Sequence, residues 1–508
     1  MRTLFTGGPV RSGDRVHDWV LIDGNEVAAV GDGDDRSQAD RRIDLENGIL
    51  TAAFCDAHVH LPATGLYALG MDFRGERSLA VIRDAFAARA TDPDAVLFGG
   101  NFEDPLDAPL DRAVLDEAVG ERPALLARAD MHSCVVSTHL LEELEIQGLE
   151  GVDRDEEGTP TGYLREQAAS VAWRWFERNL PRRQLREAVR TALRLAASKG
   201  VTSVHEMFVV EWRGWDALGW FLDAVDDSPI EVVTYVGTDE VGRVKDLGFD
   251  RIGGDYFIDG SFGSHTAWMT SPYDPPPPKG SPPHGIAYRD PEDLLGFFME
   301  AQDAALQVGV HAIGDAAIEQ AISTWERVAD KVGLGPVRAL HHRIEHFECA
   351  TDDHIERAVR LGLMASVQPA FDLYWGGEDG LYARRIGWDR ARVMNRFKTM
   401  SERGLVVGAG SDSTVTPLDP RLQMQALRTH HLERERMDAL SALEVHTHGG
   451  RALARRGADE GHIEPPARAD LVWLDRDPVE TPATELASIE VRGTWRAGRR
   501  IWPEAEEE

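Results

Sequence analysis

From Gly200 onward the chain repeats one beat, a short apolar run followed by a longer stretch with helical spacing. The runs are GVTSVHE, EVVTYV, GDYFIDG, VGVHAIGD, RIEH, LMASVQP and LVVGAGSD, with EDLLGFFMEAQDAAL, DAAIEQAISTWERVADKVG and DDHIERAVRLG among the stretches between them. Strands buried on both faces need near-continuous apolar runs, and parallel strands joined through helices provide that burial. A further run, ILTAAFCDAHVHL at 49–61, brings the count to eight. Eight strand-then-helix units close most simply into an α/β fold of the (β/α)8 TIM-barrel type, whose chemistry sits at the C-terminal strand ends.

Those ends carry the titratable residues. His58 and His60 stand at i and i+2, and in a strand alternate side chains share a face, so both imidazoles point the same way. Two imidazoles on one face suit a transition metal. His311, His346 and Asp412 each close another apolar run, which makes five candidate ligands on strand ends. His446-Thr447-His448 spells the same motif inside SALEVHTHGGRALARR, a helical pattern in which i and i+2 diverge, and it is expected to be structural. The adjacent pairs His341-His342 and His430-His431 cannot share a strand face and are expected to be solvated.

The two chain ends read differently from the middle. Residues 1–48 alternate short apolar stretches with Asp-Gly turns at Asp23-Gly24 and Asp32-Gly33, the pattern of antiparallel hairpins. Residues 458–508 repeat that style in ADLVWLDRDP and IEVRGTWRAGRRIW, so a small β-sandwich built from both termini is expected. Between the first barrel strand (49–61) and the rest of the barrel (200–457) lies 62–199, too long for a loop and read as an inserted α+β subdomain. Its aromatic stretch VAWRWFERNL is expected to be core.

Formal net charge is −32, from 87 acidic against 55 basic residues, and the excess runs along the whole chain. Nucleic acid and anionic membrane are therefore not expected partners, and an acidic surface adapted to salt is. Three well-separated cysteines argue against a disulfide framework, and no run of about 18 apolar residues occurs. A cytoplasmic protein is expected. No Gly-x-Gly-x-x-Gly follows a strand and no P-loop pattern occurs, so no nucleotide cofactor is implied. The oligomeric state stays open, a homodimer being the commonest closed assembly.

FCDAHVHL, GVTSVHEM, FIDGSFGSHTA, VHAIGDAAI, RIEH, SVQP, GSDSTVTPLDP and ADLVWLDRDP, in this order over nearly the whole chain, resemble the amidohydrolase superfamily. Within it the chain resembles the YtcJ-like amidohydrolase-3 branch, which includes N-substituted formamide deformylases. The resemblance implies a metal-dependent hydrolase of a C–N bond in an amide, formamide or cyclic amide, acting on a small molecule. It implies metal ligation by His58, His60, His311 and His346, with Asp412 as a ligand and proton shuttle. Neutral imidazoles with carboxylates suit Zn2+ best, one or two ions per chain, with Fe2+ or Mn2+ as alternatives. Many relatives carry a metal-bridging lysine on strand 4, and Asp255 stands in its place. Aspartate is shorter, so it serves only if the backbone comes closer, and Glu166 in TGYLREQ is a substitute carboxylate. His132 resembles a family histidine that faces the active site, and His205, read at the end of the second strand, could line the pocket; both are catalytic candidates. The alternative reading is a regulatory or binding protein on a retained amidohydrolase scaffold.

Overall fold

The structure is a computed structural model that describes residues 1–33, 38–102, 105–128, 133–277, 281–457 and 460–504. The chain divides into two compact units, Met1–His60 with Arg194–Val209 and Ser228–Glu508, and Leu61–Leu193 with Val210–Asp227.

The first unit holds the eight parallel strands. They are β1 (Phe54–Val59), β2 (Val201–Val209), β3 (Glu231–Gly237), β4 (Arg251–Ile252), β5 (Gln307–Ala312), β6 (Arg343–His346), β7 (Met364–Val367) and β8 (Val406–Ala409). β3-β2-β1 form one ladder and β4 to β8 another, in chain order. Two junctions close the ring. The Gly253 amide donates to Val236 O at 2.8 Å, and beyond β8 the Asp412 amide donates to His58 O at 2.8 Å while His60 donates to Ser413 O at 3.1 Å. All residues of β1, β2, β5, β6 and β7 are buried, as strands covered on both faces must be.

Local chemistry starts and stops the helices between the strands. Asp290 caps Pro291–Asp303 by accepting from the Glu292 amide, and Asp419 caps Pro420–Thr429 through Arg421. Thr351 and His354 form a capping box on Asp352–Leu361, which Gly362 ends in the left-handed region at φ 71°. Asp315–Val332 turns Ala317, Ile318, Ile322, Trp325 and Val328 inward.

Two further sheets of this unit come from the chain ends. One runs Glu26–Gly31, Trp19–Asp23, Arg2–Thr6, Arg41–Asp44, and the other joins C-terminal strands to Ile49–Ala52, which pairs antiparallel with Leu471–Leu474. Phe5, Val20 and Ile22 of the first share a core with Leu50, Leu471, Trp473 and Trp495 of the second. The Asp23-Gly24 turn forms, with Gly24 at φ 62°.

The second unit is α+β. Its six-stranded sheet runs from Val152–Arg154 to Met71–Asp72. Phe98, Leu125, Leu164 and Phe176 fill one core cluster, and Phe73, Phe86, Leu115 and Leu126 another. Phe176 of the aromatic stretch is fully buried in the first cluster, against which Trp173 and Trp175 pack. Residues 210–227 group with this unit, where the Arg213 guanidinium pairs with Glu177 at 2.9 Å.

Two histidines expected at the surface are inside. His342 stacks on Trp325 at 3.7 Å and accepts from the Val308 amide, and His430 is buried against the Asn395 carbonyl. Neither pair lies in a strand: His341 follows the helix Leu334–Leu340 and His430 follows Pro420–Thr429, and at each helix end one histidine is buried while its neighbour, His341 or His431, stays exposed.

Candidate metal centre

The barrel brings His58, His60, Asp255, His311, His346 and Asp412 together at the C-terminal strand ends. In every one of the four histidines the nitrogen facing away from the centre is anchored. His58 Nδ1 meets Glu345 Oε2 at 2.9 Å, and His60 Nδ1 meets Met207 O at 3.1 Å. His311 Nε2 meets Gly260 O at 3.2 Å, and His346 Nδ1 meets Gln368 Oε1 at 2.7 Å. Each acceptor takes an N–H, which leaves the opposite nitrogen as a lone pair facing inward; metal-binding histidines are oriented in this way.

The inward nitrogens converge on one carboxylate. Asp255 Oδ2 lies 3.4 Å from His58 Nε2 and 3.1 Å from His60 Nε2. Its Oδ1 lies 3.4 Å from His311 Nδ1 and 3.5 Å from His346 Nε2. Asp412 Oδ1 completes the first side, 3.6 Å from His58 Nε2 and 3.2 Å from His60 Nε2. His346, Phe347 and Asp412 hold positive φ, at 71°, 52° and 49°. Strained backbone of this kind clusters at functional sites.

Asp255 reaches the centre because the backbone moves, not because the side chain is long. The fourth strand was expected to run through GDYFIDG, but β4 stops at Ile252, and Gly253 and Gly254 follow at φ 83° and 74°. The ladder resumes at a single bridge between Phe257 and His311. A Cβ on Gly253 would overlap the Gly309 carbonyl, and one on Gly254 would stand 2.5 Å from Met207 Sδ. Two glycines are thus required for this inward step. Asp259, farther along, accepts from the amides of Trp268, Ile313 and Gly314 at 2.8–3.0 Å and fixes the following loop.

Does this donor set fit a metal? Two ligands about 2.1 Å from one ion at a tetrahedral angle stand about 3.4 Å apart. The separations above, 3.1–3.6 Å, match that figure and exceed most hydrogen bonds. His58 Nε2, His311 Nδ1, His346 Nε2 and Asp255 Oδ1 are buried with no hydrogen-bond partner. Four such atoms in one place need an occupant. Electrostatics agree. Burial alone would raise the Asp255 carboxyl, yet the imidazoles of His58, His311 and His346 hold it well below the usual carboxylate range. Burial would lower His60, but Asp255 and Asp412 push it up to about 10. The cluster therefore demands positive charge at its centre, and a divalent cation supplies that charge in place of protons. His58, Asp255 and His346, and His58, His60 and Asp412, are two triads spaced to hold an ion.

A match to the amidohydrolase family runs over residues 41–502. The chain belongs to the amidohydrolase family. Among its relatives, YtcJ of Bacillus subtilis (strain 168), which carries an amidohydrolase name, is 25% identical over 91% of this chain and 90% of that protein. The N-substituted formamide deformylase of Arthrobacter pascens is 25% identical over 94% of each. These two place the chain in the amidohydrolase-3 branch. A metal-dependent hydrolase from Pyrococcus furiosus, described as uncharacterized, superposes with a TM-score of 0.78 at 25% identity, over 94% of this chain and 100% of that one. The amidohydrolase is thus a metal-dependent hydrolase by family.

The remaining expected residues fare differently. His205 does not join the cluster. It was read at the end of its strand, but β2 runs on four residues to Val209, which leaves His205 deep in the barrel. There its Nδ1 lies 2.9 Å from Arg343 Nη1 and its Nε2 3.6 Å from Cys55 Sγ. A guanidinium only donates, so His205 Nδ1 accepts and the ring is neutral. His205 thus contacts Arg343 and Cys55 and stands apart from the six converging side chains. Glu166 opens the helix Glu166–Asn179 of the second unit, and its side chain lies outside the described part. His132 lies outside the described residues. Sequence reading missed Arg343, Glu345 and Gln368 as anchors. The signal for two of them was present, since Arg343 and Glu345 stand at i and i+2 and share a strand face.

Proposed function

We propose that this amidohydrolase hydrolyses a C–N bond of an amide, formamide or cyclic amide in a small molecule, with Zn2+ as its metal. The observation that carries this reading is the convergence of four anchored imidazoles and two carboxylates, since N and O donors in this number suit Zn2+ ahead of Fe2+ or Mn2+. The formamide deformylase among the relatives supports the bond type. His58, His60 and Asp412, and His58, Asp255 and His346, are the groups that would hold the metal, with His311 beside Asp255. When bound, the metal supplies a Lewis acid that polarises the carbonyl and lets a water react at neutral pH.

The protein's own part is positioning and proton transfer. Asp412 is held by its amide bond to His58 O at 2.8 Å, and Asp56 pins the preceding Ser411 amide at 2.9 Å. So fixed, the Asp412 carboxylate takes a proton from the attacking water as the C–O bond forms. It returns that proton to the leaving nitrogen as the C–N bond breaks, releasing amine and acid.

The test combines metal analysis with a substrate panel. Protein purified without chelator is expected to carry one or two Zn2+ per chain and to release amine from N-substituted formamides, linear amides or cyclic amides. A fully metallated protein inert on all three classes would overturn the C–N assignment. Protein that binds no metal would overturn the reading as a whole.

A further inference from the structure

The four imidazole anchors are unequal. Met207, Gly260 and Gln368 offer neutral oxygens, whereas His58 alone is held by a carboxylate, Glu345, itself fully buried. A buried carboxylate needs a counter-charge, and Arg343 supplies it. Arg343 Nε donates to Glu345 Oε1 at 2.5 Å and Nη2 to Glu345 Oε2 at 2.8 Å, a two-pronged pair. The other donors are also taken. Nη2 reaches Ala57 O at 2.6 Å, one residue before His58, and Nη1 reaches His205 Nδ1 at 2.9 Å and Tyr235 Oη at 3.2 Å. A guanidinium has five N–H groups, and all five are used, on groups from β1, β2, β3 and β6.

We infer that Arg343 and Glu345 form a positioning hub that sets metal affinity through His58. The inference rests on the metal-centre reading. The hub works in two ways. Glu345 fixes the His58 ring with its Nε2 lone pair inward and, as an anion on Nδ1–H, makes that nitrogen a better donor. Arg343 ties the Ala57 carbonyl to β6, which holds the backbone beneath His58 in register with His346. Gln368 does the corresponding work for His346 with a neutral amide. His58 and His346 therefore depend on different anchors.

Glu345→Gln keeps an acceptor near His58 and removes the charge. Because it leaves a buried guanidinium short of its partner, the double variant R343M/E345Q accompanies it and removes both charges together. Zn2+ affinity is read by competition with a chromophoric chelator, and Tm is read with and without Zn2+. Both variants are expected to weaken one Zn2+ by about 10- to 100-fold, the usual effect of removing such a partner. They are also expected to shrink the Tm increment that Zn2+ gives. Gln368→Met is expected to weaken Zn2+ through His346, so that E345Q/Q368M loses more affinity than either single variant.

Unchanged Zn2+ affinity in E345Q and in R343M/E345Q would overturn the hub while leaving the metal centre standing. Tm falling equally with and without Zn2+, at constant affinity, marks a merely structural role and also overturns it. If wild-type protein takes up no Zn2+, the metal-centre reading fails and the hub falls with it.

Discussion

His58-Val59-His60 and His446-Thr447-His448 are spelled alike, and the fold gives them opposite lives. The first sits at the end of β1, where two residues span one period and both Nε2 atoms reach Asp255. The second sits in a single π-helical turn, Val445–Gly449, where the side chains part. His446 is buried with neither ring nitrogen hydrogen-bonded, while His448 binds the Glu460 carbonyl and stacks on His462. Charge separates the pairs as sharply as geometry. Two carboxylates push His60 up to about 10, whereas burial, opposed only by Asp419, brings His446 down to about 3. A His-x-His motif thus carries no chemistry of its own. The backbone period and the nearest carboxylates confer it.

The largest effect is expected where the carboxylates are removed from the first pair. Asp255→Ala takes away the group that stands within 3.5 Å of an inward nitrogen on all four rings. Bound metal is expected to be lost and turnover to fall by about 10³-fold or more, since a Lewis acid contributes several kcal/mol. Elemental analysis beside a turnover assay reads both, and an active, metal-filled D255A would break the contrast. Asp412→Asn is expected to lower kcat by about 10²- to 10⁴-fold with metal largely kept, the range of a general acid–base group. If D412N loses metal and activity in parallel, Asp412 acts as a ligand alone and its proton-carrying role falls.

Much of the arrangement was legible because strand ends in a parallel barrel all point to one face. His58, His60, His311, His346 and Asp412 could be placed together from their positions alone. Asp255 was visible, but its reach was not, because the inward step depends on φ at Gly253 and Gly254, which a side-chain pattern does not report. His205 was misplaced by strand length: the apolar residues Met207, Phe208 and Val209 after it carry β2 on to Val209. Arg343 and Glu345 were passed over, although their spacing puts them on one strand face, because charged side chains read in sequence as solvated.

A smaller effect follows from that inward step. Gly253→Ala is expected to cost about 1–3 kcal/mol from the left-handed backbone, with overlap on the Gly309 carbonyl added. Metal content should fall with it, because Asp255 is withdrawn from the imidazoles. Calorimetry with metal analysis checks this, and a G253A variant with full metal would show that the inward step is not what delivers the carboxylate.

The smallest effect belongs to the second histidine pair, and it is a matter of pH. His446 has its folded pKa depressed to about 3, against 6.5 ordinarily. Between these values the unfolded chain takes up a proton at this residue and the folded chain does not. Stability is therefore full above pH 6.5 and declines as pH falls towards 3. At pH 5 the gap is roughly 1.5 pH units, about 2 kcal/mol. His446→Leu removes this term, so the stability of H446L relative to wild type is expected to rise by about 2 kcal/mol between pH 8 and pH 5, measured by denaturant unfolding at both. A difference that stays constant with pH would mean that His446 finds a partner for its proton, and the two His-x-His pairs would then be less unlike than their surroundings make them.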